Sequence, residues 1–314
     1  MEKQSFLLPT EVLEANMKAA QAKVKYPIYK LLLLGIMAGM FVGFGAAASS
    51  TAMHGIADVG IARLIAGCIF PVGLMMIIFV GGELITSNCL MISGVMDRRY
   101  SVTAMLKALV VLYISNLIGS VIVAVLVFYS GILNYTGGAA GAFAINVAFA
   151  KANIAPGAAV CSGILCNILV CAASLMATAA KDIAGKTWAI FFPIFAFVIC
   201  GFEHCVANMY YIILGILASG NANYMEKAQE LYGLSEVAVQ EGLNLGGFLS
   251  NQIPVTIGNI LGGMVFVALP LYAIHKSRVC NHNNIEARVH AASEIHGSIC
   301  DFYEAASRAE REDA

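Results

Sequence analysis

The chain has 314 residues, of which 60% are hydrophobic and only 12% are charged, and its mean hydropathy is +0.80. Ordinary soluble domains carry about 25% charged residues, so this composition excludes a water-soluble globular fold. The net charge of −1 leaves no basic surface that would bind nucleic acid. The composition therefore predicts an all-α polytopic membrane protein.

Six charge-poor runs are long enough to cross the hydrocarbon core of a bilayer, which takes about 20 apolar residues per helix. In chain order they cover residues 31–53, 64–96, 108–150, 152–180, 187–225 and 242–274. Glu83 interrupts the second run, and Glu203 with His204 interrupts the fifth. We therefore predict six transmembrane helices, the second and fifth of them broken, in a transmembrane domain over residues 28–277.

Polar segments flank this domain at both ends. Residues 1–27 predict a cytoplasmic amphipathic helix with Thr10 as its N-cap, and no cleavable signal precedes it. The weak apolar stripe of this helix consists of Val12, Ala15, Ala19 and Ala20. Residues 278–314 predict a cytoplasmic C-terminal tail with a second polar helix. Two roles stay open for both ends, namely support of assembly and gating.

The distribution of positive charge predicts the orientation. Fifteen of the 18 Lys and Arg residues lie before the first run or after the second, fourth and sixth runs. The exceptions are Arg63, Lys151 and Lys227. Because cytoplasmic loops are enriched in Lys and Arg, we predict a multi-pass protein with both termini in the cytoplasm.

The two interruptions share one sequence pattern, G-x-E-x-x-x-x-N. It begins at Gly81 in the second run and at Gly201 in the fifth, 120 residues further on. The second run enters the membrane from outside and the fifth from the cytoplasm, so equivalent segments enter from opposite faces. This arrangement is typical of an inverted repeat. We predict the two repeats over residues of about 28–130 and 150–277.

Each copy of the pattern places a carboxylate and an amide at membrane depth, Glu83 with Asn88 and Glu203 with Asn208. Burying a carboxylate in lipid costs several kcal/mol, and these are the only two acidic residues inside the predicted spans. Two interpretations stay open. The carboxylates bond to backbone groups that a broken helix leaves unpaired, or they contact a substrate or a proton.

Further polar residues are candidates for a site between the two breaks. His204 is the single histidine deep in a span, and a group that titrates near neutral pH suits the handling of a weak acid. Thr86 lies in the matching segment of the first repeat and offers a hydroxyl to His204. Lys151 either attracts anions at the entrance of the fourth run or snorkels to the interface. Asn167 requires a partner helix or a pore.

Apolar residues near the breaks are candidates for constrictions that exclude hydrated ions, although ordinary helix packing explains them equally well. These residues are Phe70, Leu74, Phe197, Leu84 and Ile85. The nine cysteines lie mostly inside apolar runs, so we expect buried thiols and no metal site. No cofactor is indicated. The chain has no H-E-x-x-H or G-x-S-x-G motif, and we predict that it is not an enzyme.

The segment GFEHCVANM at residues 201–209, the loop at 81–87 with its threonine, Lys151 and Asn167 together resemble the formate/nitrite transporter family of bacterial anion channels. The resemblance covers the chain from the N-terminal helix through the sixth run. It implies an aquaporin-like fold and a homopentamer with one pore in each protomer. It also implies a location in the bacterial plasma (inner) membrane, with the lipid bilayer and small anions as partners.

The resemblance assigns a role to each candidate residue. It implies a central polar site of His204 and Thr86, and a vestibule in which Lys151 and Asn167 attract or orient the anion. The implied outer constriction consists of Phe70, Leu74 and Phe197, and the implied inner constriction consists of Leu84 and Ile85.

Within the family, Glu83, Ile85 and the surroundings of Cys200 and Cys205 are most similar to the hydrosulphide channel branch. The implied permeant is hydrosulphide, with formate and nitrite as further permeants. All three are small monovalent conjugate bases of weak acids. The alternative is a proton-coupled secondary transporter that uses Glu203 and His204 as relay groups.

Overall fold

The computed structural model describes residues 5–276, which are almost entirely helical. The first half contains α1 (Pro9–Lys23), α2 (Ile28–Met53), α3 (Val59–Ile69), α4 (Val72–Met76), α5 (Ile85–Asn88), α6 (Ile92–Met96) and α7 (Val102–Tyr129). The second half contains α8 (Ala139–Ala152), α9 (Pro156–Ala179), α10 (Ile183–Cys200), α11 (Cys205–Ser219), α12 (Ala222–Tyr232), α13 (Glu236–Gly242) and α14 (Leu245–Gly263). Residues up to Pro270 belong to one compact unit, and 271–276 belong to a second. The predicted tail at 278–314 lies outside the described residues.

Six helices in the described part of the chain are long and apolar enough to cross a membrane. They cover Ile28–Met53, Val59–Gly81, Val102–Tyr129, Pro156–Ala179, Ile183–Cys200 and Leu245–Lys276. After a break, the second and the fifth are each followed by a shorter apolar helix, Ile85–Met96 and Cys205–Ser219 respectively. The predicted all-helical fold with six spans is confirmed.

The two helix breaks fall where the repeated pattern predicts them. Gly81 has a φ of +106°, and the chain then runs without helical structure to Leu84, after which α5 begins. Helix α10 ends at Cys200 with Gly201 as its C-cap at a φ of +69°, and α11 begins after His204. Glycine adopts these left-handed dihedrals without the steric cost of a side chain. The glycine that opens each copy of the pattern therefore allows the helix to stop inside the membrane.

One apolar run departs from the prediction. Residues 108–150, which the hydropathy pattern assigns to one span, form two helices. Helix α7 ends at Tyr129, and glycines with positive φ at 131, 137 and 138 turn the chain before α8 begins at Ala139. Composition alone misses this turn because the glycines and alanines around it are uncharged.

Helices α1 and α8 occupy equivalent places in the two halves. Each precedes the first long helix of its half, and each packs against the helical segment that follows a break, α1 against α6 and α8 against α11. We infer that the repeat unit includes these two helices, which the boundaries near 28 and 150 leave out. This placement brings the last turns of α1 and α8 close to the breaks.

The long helices pair in the same way in both halves. Helix α2 packs along α7, and α9 packs along α14. A Cβ atom built on Gly119 would overlap the Ile36 carbonyl oxygen, and one built on Gly258 would overlap the Val160 carbonyl oxygen. Small residues that let backbones approach closely are the usual means of helix association in membranes. These glycines therefore fix the spacing of each pair.

Replacing Gly119 by alanine should destabilise the fold, because the added methyl group must push α2 away from α7. Overpacking of this kind costs about 1–3 kcal/mol. Gly157 is the matched control, since a Cβ there meets nothing within 4 Å. We expect G119A to lower the apparent melting temperature of the purified protein in detergent and G157A to leave it unchanged. An unchanged melting temperature in G119A would contradict the close approach.

The N-terminal helix differs from the prediction at its start. Leu8, not Thr10, is the N-cap, since Pro9 takes the first helical position and Glu11 Oε2 accepts a hydrogen bond of 2.7 Å from the Leu8 N–H. The missing N–H and fixed φ of proline suit that position. The buried face consists of Val12, Leu13, Met17 and Ala20, whereas Ala19 of the predicted stripe is exposed. Arg99 Nη2 bonds to Glu14 Oε2 at 2.6 Å and ties α1 to the segment after α6.

Candidate functional site

The two breaks bring Thr86 and His204 together. Thr86 Oγ1 lies 3.0 Å from His204 Nε2, although the two residues are 118 positions apart in the chain, and both side chains are buried. His204 is also the N-cap of α11, because its Nδ1 accepts a hydrogen bond of 3.2 Å from the Ala207 N–H. An imidazole nitrogen that accepts carries no proton, so the proton of the neutral ring lies on Nε2. Nε2 is therefore the donor that faces Thr86.

A buried asparagine braces each break in the same way. Asn116 on α7 donates to the carbonyl groups of Gly35 and Glu83, and its Oδ1 accepts from the Ile85 N–H at 2.9 Å. Asn259 on α14 donates to the carbonyl groups of Gly163 and Glu203, and its Oδ1 accepts from the Cys205 N–H at 2.9 Å. Irregular backbone at membrane depth needs such partners, since no water satisfies it there. These two asparagines therefore fix the backbone beside Thr86 and His204 and keep the two side chains facing each other.

Replacing Asn259 by alanine should loosen the second break, because the Cys205 N–H and two carbonyl groups lose their partner. A buried polar group left unsatisfied costs about 1–3 kcal/mol. The exposed Asn153, which bonds to two carbonyl groups at the surface, provides the matched control N153A. We expect N259A to melt at a clearly lower temperature than N153A in the same detergent. Equal melting temperatures would show that Asn259 does not support the break.

Glu203 is held by an ion pair and two amides. Lys151 Nζ on the last turn of α8 lies 2.8 Å from Glu203 Oε1. Asn208 Nδ2 donates to Glu203 Oε2 at 2.6 Å, and Asn251 Nδ2 lies 3.4 Å from the same oxygen. The side chains of Lys151 and Glu203 are only 17% and 8% exposed. The carboxylate thus fixes the lysine beside the break, and Lys151 does not snorkel away from the protein.

The first repeat contains a copy of this cluster. Lys23 Nζ on the last turn of α1 lies 2.7 Å from Glu83 Oε2 and 3.1 Å from Asn88 Oδ1. Asn88 Nδ2 donates to Glu83 Oε2 at 2.9 Å. Lys23 therefore occupies in the first repeat the place that Lys151 occupies in the second. Each break therefore pairs a lysine with the glutamate and the asparagine of the repeated pattern, and the second break adds Asn251.

Four residues of the described site are not predicted from the sequence, namely Lys23, Asn116, Asn251 and Asn259. In the sequence, Lys23 counts only as one of the charges before the first span. The repeated pattern does not predict this role, because Lys23 and Lys151 are not separated by the 120 residues that separate the two copies. Asn116 and Asn259 each lie in the third long helix of their half, where an amide in an apolar run requires a buried partner.

Asn167 does not line the cavity that Lys151 lines, contrary to the expectation that both line one vestibule. Its Nδ2 donates to the carbonyl oxygens of Thr86 at 3.1 Å and Asn259 at 2.6 Å. Among the described residues, its buried Oδ1 has no hydrogen-bond partner. Asn167 therefore supports the segment that carries Thr86 from behind. The amide is used by these two carbonyl groups, which explains why it does not face the entrance.

A cavity of about 840 Å³ leads from one side of the bundle to His204; we name it the Lys151 cavity. Lys151, Glu203, Asn208, Phe70 and Phe197 line it. The rings of Phe70 and Phe197 meet edge to face with centroids 5.5 Å apart, and the Phe197 ring stacks near His204 at 6.1 Å. The two phenylalanines thus narrow the cavity directly above the histidine.

The other three apolar candidates lie outside the walls of this cavity. Leu74, Leu84 and Ile85 are buried in the hydrophobic core of the bundle. Leu84 lies in the first break and Ile85 opens α5, directly before Thr86. Leu84 and Ile85 therefore lie at the first break, on the side of the Thr86 and His204 pair that faces Lys23. Leu74 packs in the core before the first break.

Two broken helices that meet at a buried polar pair, within a bundle of membrane-length helices and beneath a cavity, define a multi-pass membrane transport protein. The family model described as formate/nitrite transporter matches residues 10–273. The chain belongs to the formate/nitrite transporter family. Membership of this family agrees with the prediction that the chain is not an enzyme.

Individual relatives match over most of their length. A probable formate transporter of Methanothermobacter thermautotrophicus is 37% identical over 284 residues, covering 84% of this chain and 95% of the relative. The solved structure of an FNT family ion channel matches with a TM-score of 0.72 and 27% identity, covering 84% of this chain and 99% of that chain. The structure of a pentameric formate channel with formate bound matches with a TM-score of 0.69 and 30% identity. This match covers 79% of this chain and 97% of that chain.

Proposed function

We propose that this chain forms a pore for small monovalent anions of weak acids. The observation that carries the proposal is the buried hydrogen bond between Thr86 and His204, formed where two opposed helix breaks meet. The Lys151 cavity reaches His204 of this pair, and a lysine is paired with a glutamate at each break. The His204 Nε2–H donor lies between the two lysines. Such a donor suits an anion that accepts a hydrogen bond or a proton.

The proposed path runs through the Lys151 cavity, between Phe70 and Phe197, to the polar pair and then past Leu84 and Ile85. A charged ion loses most of its hydration between apolar walls, which is costly at low dielectric. His204 Nε2–H compensates this loss by donating to the anion in place of Thr86. Helix α11 begins at His204, so the positive end of its dipole also faces the anion.

Lys151 and Lys23 attract the anion from the two sides in this scheme. A glutamate neutralises the charge of each lysine. Each lysine therefore attracts the anion mainly through the N–H donors of its ammonium group, which the glutamate holds in place. The two clusters are equivalent, so a lysine stands beside the path at each break. We propose that Glu83 and Glu203 serve to hold these lysines and do not contact the permeant.

The finer choice of anion rests on two different sources. Two of the relatives above are named for formate, whereas Glu83, Ile85 and the cysteines around 200–205 resemble the hydrosulphide branch. Formate, nitrite and hydrosulphide all fit a site that offers a single buried donor. We propose all three as permeants and hydrosulphide as the one that this chain passes fastest.

We extend the proposal to the assembly and the orientation of the chain. The related formate channel of known structure is pentameric, and we propose that this chain is likewise a homopentamer with one pore in each protomer. The exposed aromatic face of α10, with Trp188 and Phe192, is available for contact with lipid or with another protomer. The positive-inside distribution supports cytoplasmic termini in a bacterial plasma membrane.

The test is the initial rate of uptake into proteoliposomes, compared among hydrosulphide, formate, nitrite and chloride. We expect the three weak-acid anions to enter much faster than into empty liposomes, hydrosulphide first, and chloride to enter slowly. Faster entry of formate than of hydrosulphide would refute only the proposal that hydrosulphide is the fastest permeant, and the pore itself would stand. Entry of none of the four anions above the rate of empty liposomes would refute the pore.

A further inference from the structure

The Lys151 cavity carries a net positive charge that Lys151 itself does not provide. Of the described residues that line it, the charged ones are Arg63, Lys151 and Glu203. Lys151 and Glu203 neutralise one another across 2.8 Å. Arg63 on α3 is therefore the source of the remaining positive charge at the mouth of the cavity.

The guanidinium of Arg63 lies across the C-terminal end of α10. Its Nη1 donates to the Ile199 carbonyl at 3.1 Å, and the residue is exposed on the cavity side. A Cβ atom on Gly201 would overlap this guanidinium, so the glycine at the second break also makes room for it. A guanidinium has five N–H donors, and one of them is used in this contact among the described residues. The other four have no hydrogen-bond partner among the described residues, so they are available to an anion that enters the cavity.

We propose that Arg63 captures planar oxyanions, such as carboxylates and nitrite, at the mouth of the Lys151 cavity, and that it favours them over spherical anions such as chloride. The planar fork of a guanidinium donates two parallel hydrogen bonds to two oxygens, whereas a spherical anion meets it only as a point charge. This inference rests on the proposed anion pore. It assigns the entrance a selectivity that the central Thr86 and His204 pair does not have.

The experiment measures formate and chloride uptake into proteoliposomes at low ionic strength, for the wild type, R63K and R63Q. Low ionic strength preserves the attraction between an exposed charge and an anion. We expect the half-saturating formate concentration to rise about tenfold in R63Q and about threefold in R63K, which keeps the charge but loses the fork. The half-saturating chloride concentration should rise in R63Q, which loses the positive charge, and stay the same in R63K, which keeps it. The control K227Q removes a positive charge outside the cavity and should alter neither anion.

Two outcomes would overturn the inference. Unchanged formate half-saturation in R63Q would show that Arg63 does not capture the anion. If R63Q and R63K lowered the maximal rate and the melting temperature together, with half-saturation unchanged, Arg63 would only cap α10. Failure of the pore itself is distinguishable, because the wild type would then pass no formate above the rate of empty liposomes.

Discussion

Replacing Lys151 by methionine should produce the largest loss of stability among the site variants, because it leaves Glu203 buried without its cation. Breaking a buried ion pair by removing one partner costs about 3–5 kcal/mol. The Glu203 side chain is 8% exposed, so water screens little of this cost. We expect the apparent melting temperature of K151M to fall by about 10 °C.

The double variant K151M/E203Q separates stability from transport. The neutral glutamine still accepts a hydrogen bond from Asn208, so the double variant should regain most of the lost melting temperature. Its formate uptake at low concentration should remain slow, since the positioned donor is still missing. Recovery of transport together with stability would show that Lys151 only stabilises the fold. Equal melting temperatures of K151M and wild type would contradict the buried pair.

Replacing His204 by asparagine should remove the discrimination between weak-acid anions and chloride. Asparagine is a good N-cap, so it can keep the hydrogen bond from the Ala207 N–H. It is too short to replace Nε2 at Thr86, so the buried donor between the two breaks is lost. A hydrogen bond to a charged group contributes about 1.5–3 kcal/mol, so the ratio of formate to chloride rates should fall by at least about tenfold.

The measurement is the pair of uptake rates for formate and chloride in proteoliposomes that contain equal amounts of protein. T86S is the matched control, because it keeps the hydroxyl that faces His204 and should leave the ratio unchanged. T86V removes the hydroxyl and should lower the ratio, although less than H204N does. A ratio in H204N equal to that of the wild type would exclude His204 from the selectivity of the pore.

The sequence predicts the architecture and the polar pair because both leave local signals. Glycine and glutamate inside an apolar run mark each helix break, and the second copy of the pattern identifies the repeat. Once the breaks are known, Thr86 and His204 follow as the polar residues beside them. The turn at 130–138 leaves a weaker signal, because small uncharged residues are compatible with a span, and so α7 and α8 appear as one run.

The remaining site residues depend on contacts between segments that are distant in the chain. Nothing in the sequence around Lys23 distinguishes it from Lys18 or Lys25, and only the fold brings it to Glu83. The family resemblance implies an entrance position for Asn167, whereas its hydrogen bonds place it behind Thr86. Arg63 on α3 bonds to the Ile199 carbonyl near the second break, although the two residues are 136 positions apart in the chain. Such assignments need three-dimensional contacts.

The most direct test of the proposed pore measures the equilibrium distribution of formate across proteoliposomes with a clamped membrane potential and equal pH on both sides. A pore for the charged anion predicts a concentration ratio that follows the potential, by about 50-fold per 100 mV. Empty liposomes provide the leak through the lipid. A distribution that ignores the potential and follows an imposed pH difference, beyond the leak of empty liposomes, would contradict the pore and indicate proton-coupled transport through Glu203 and His204.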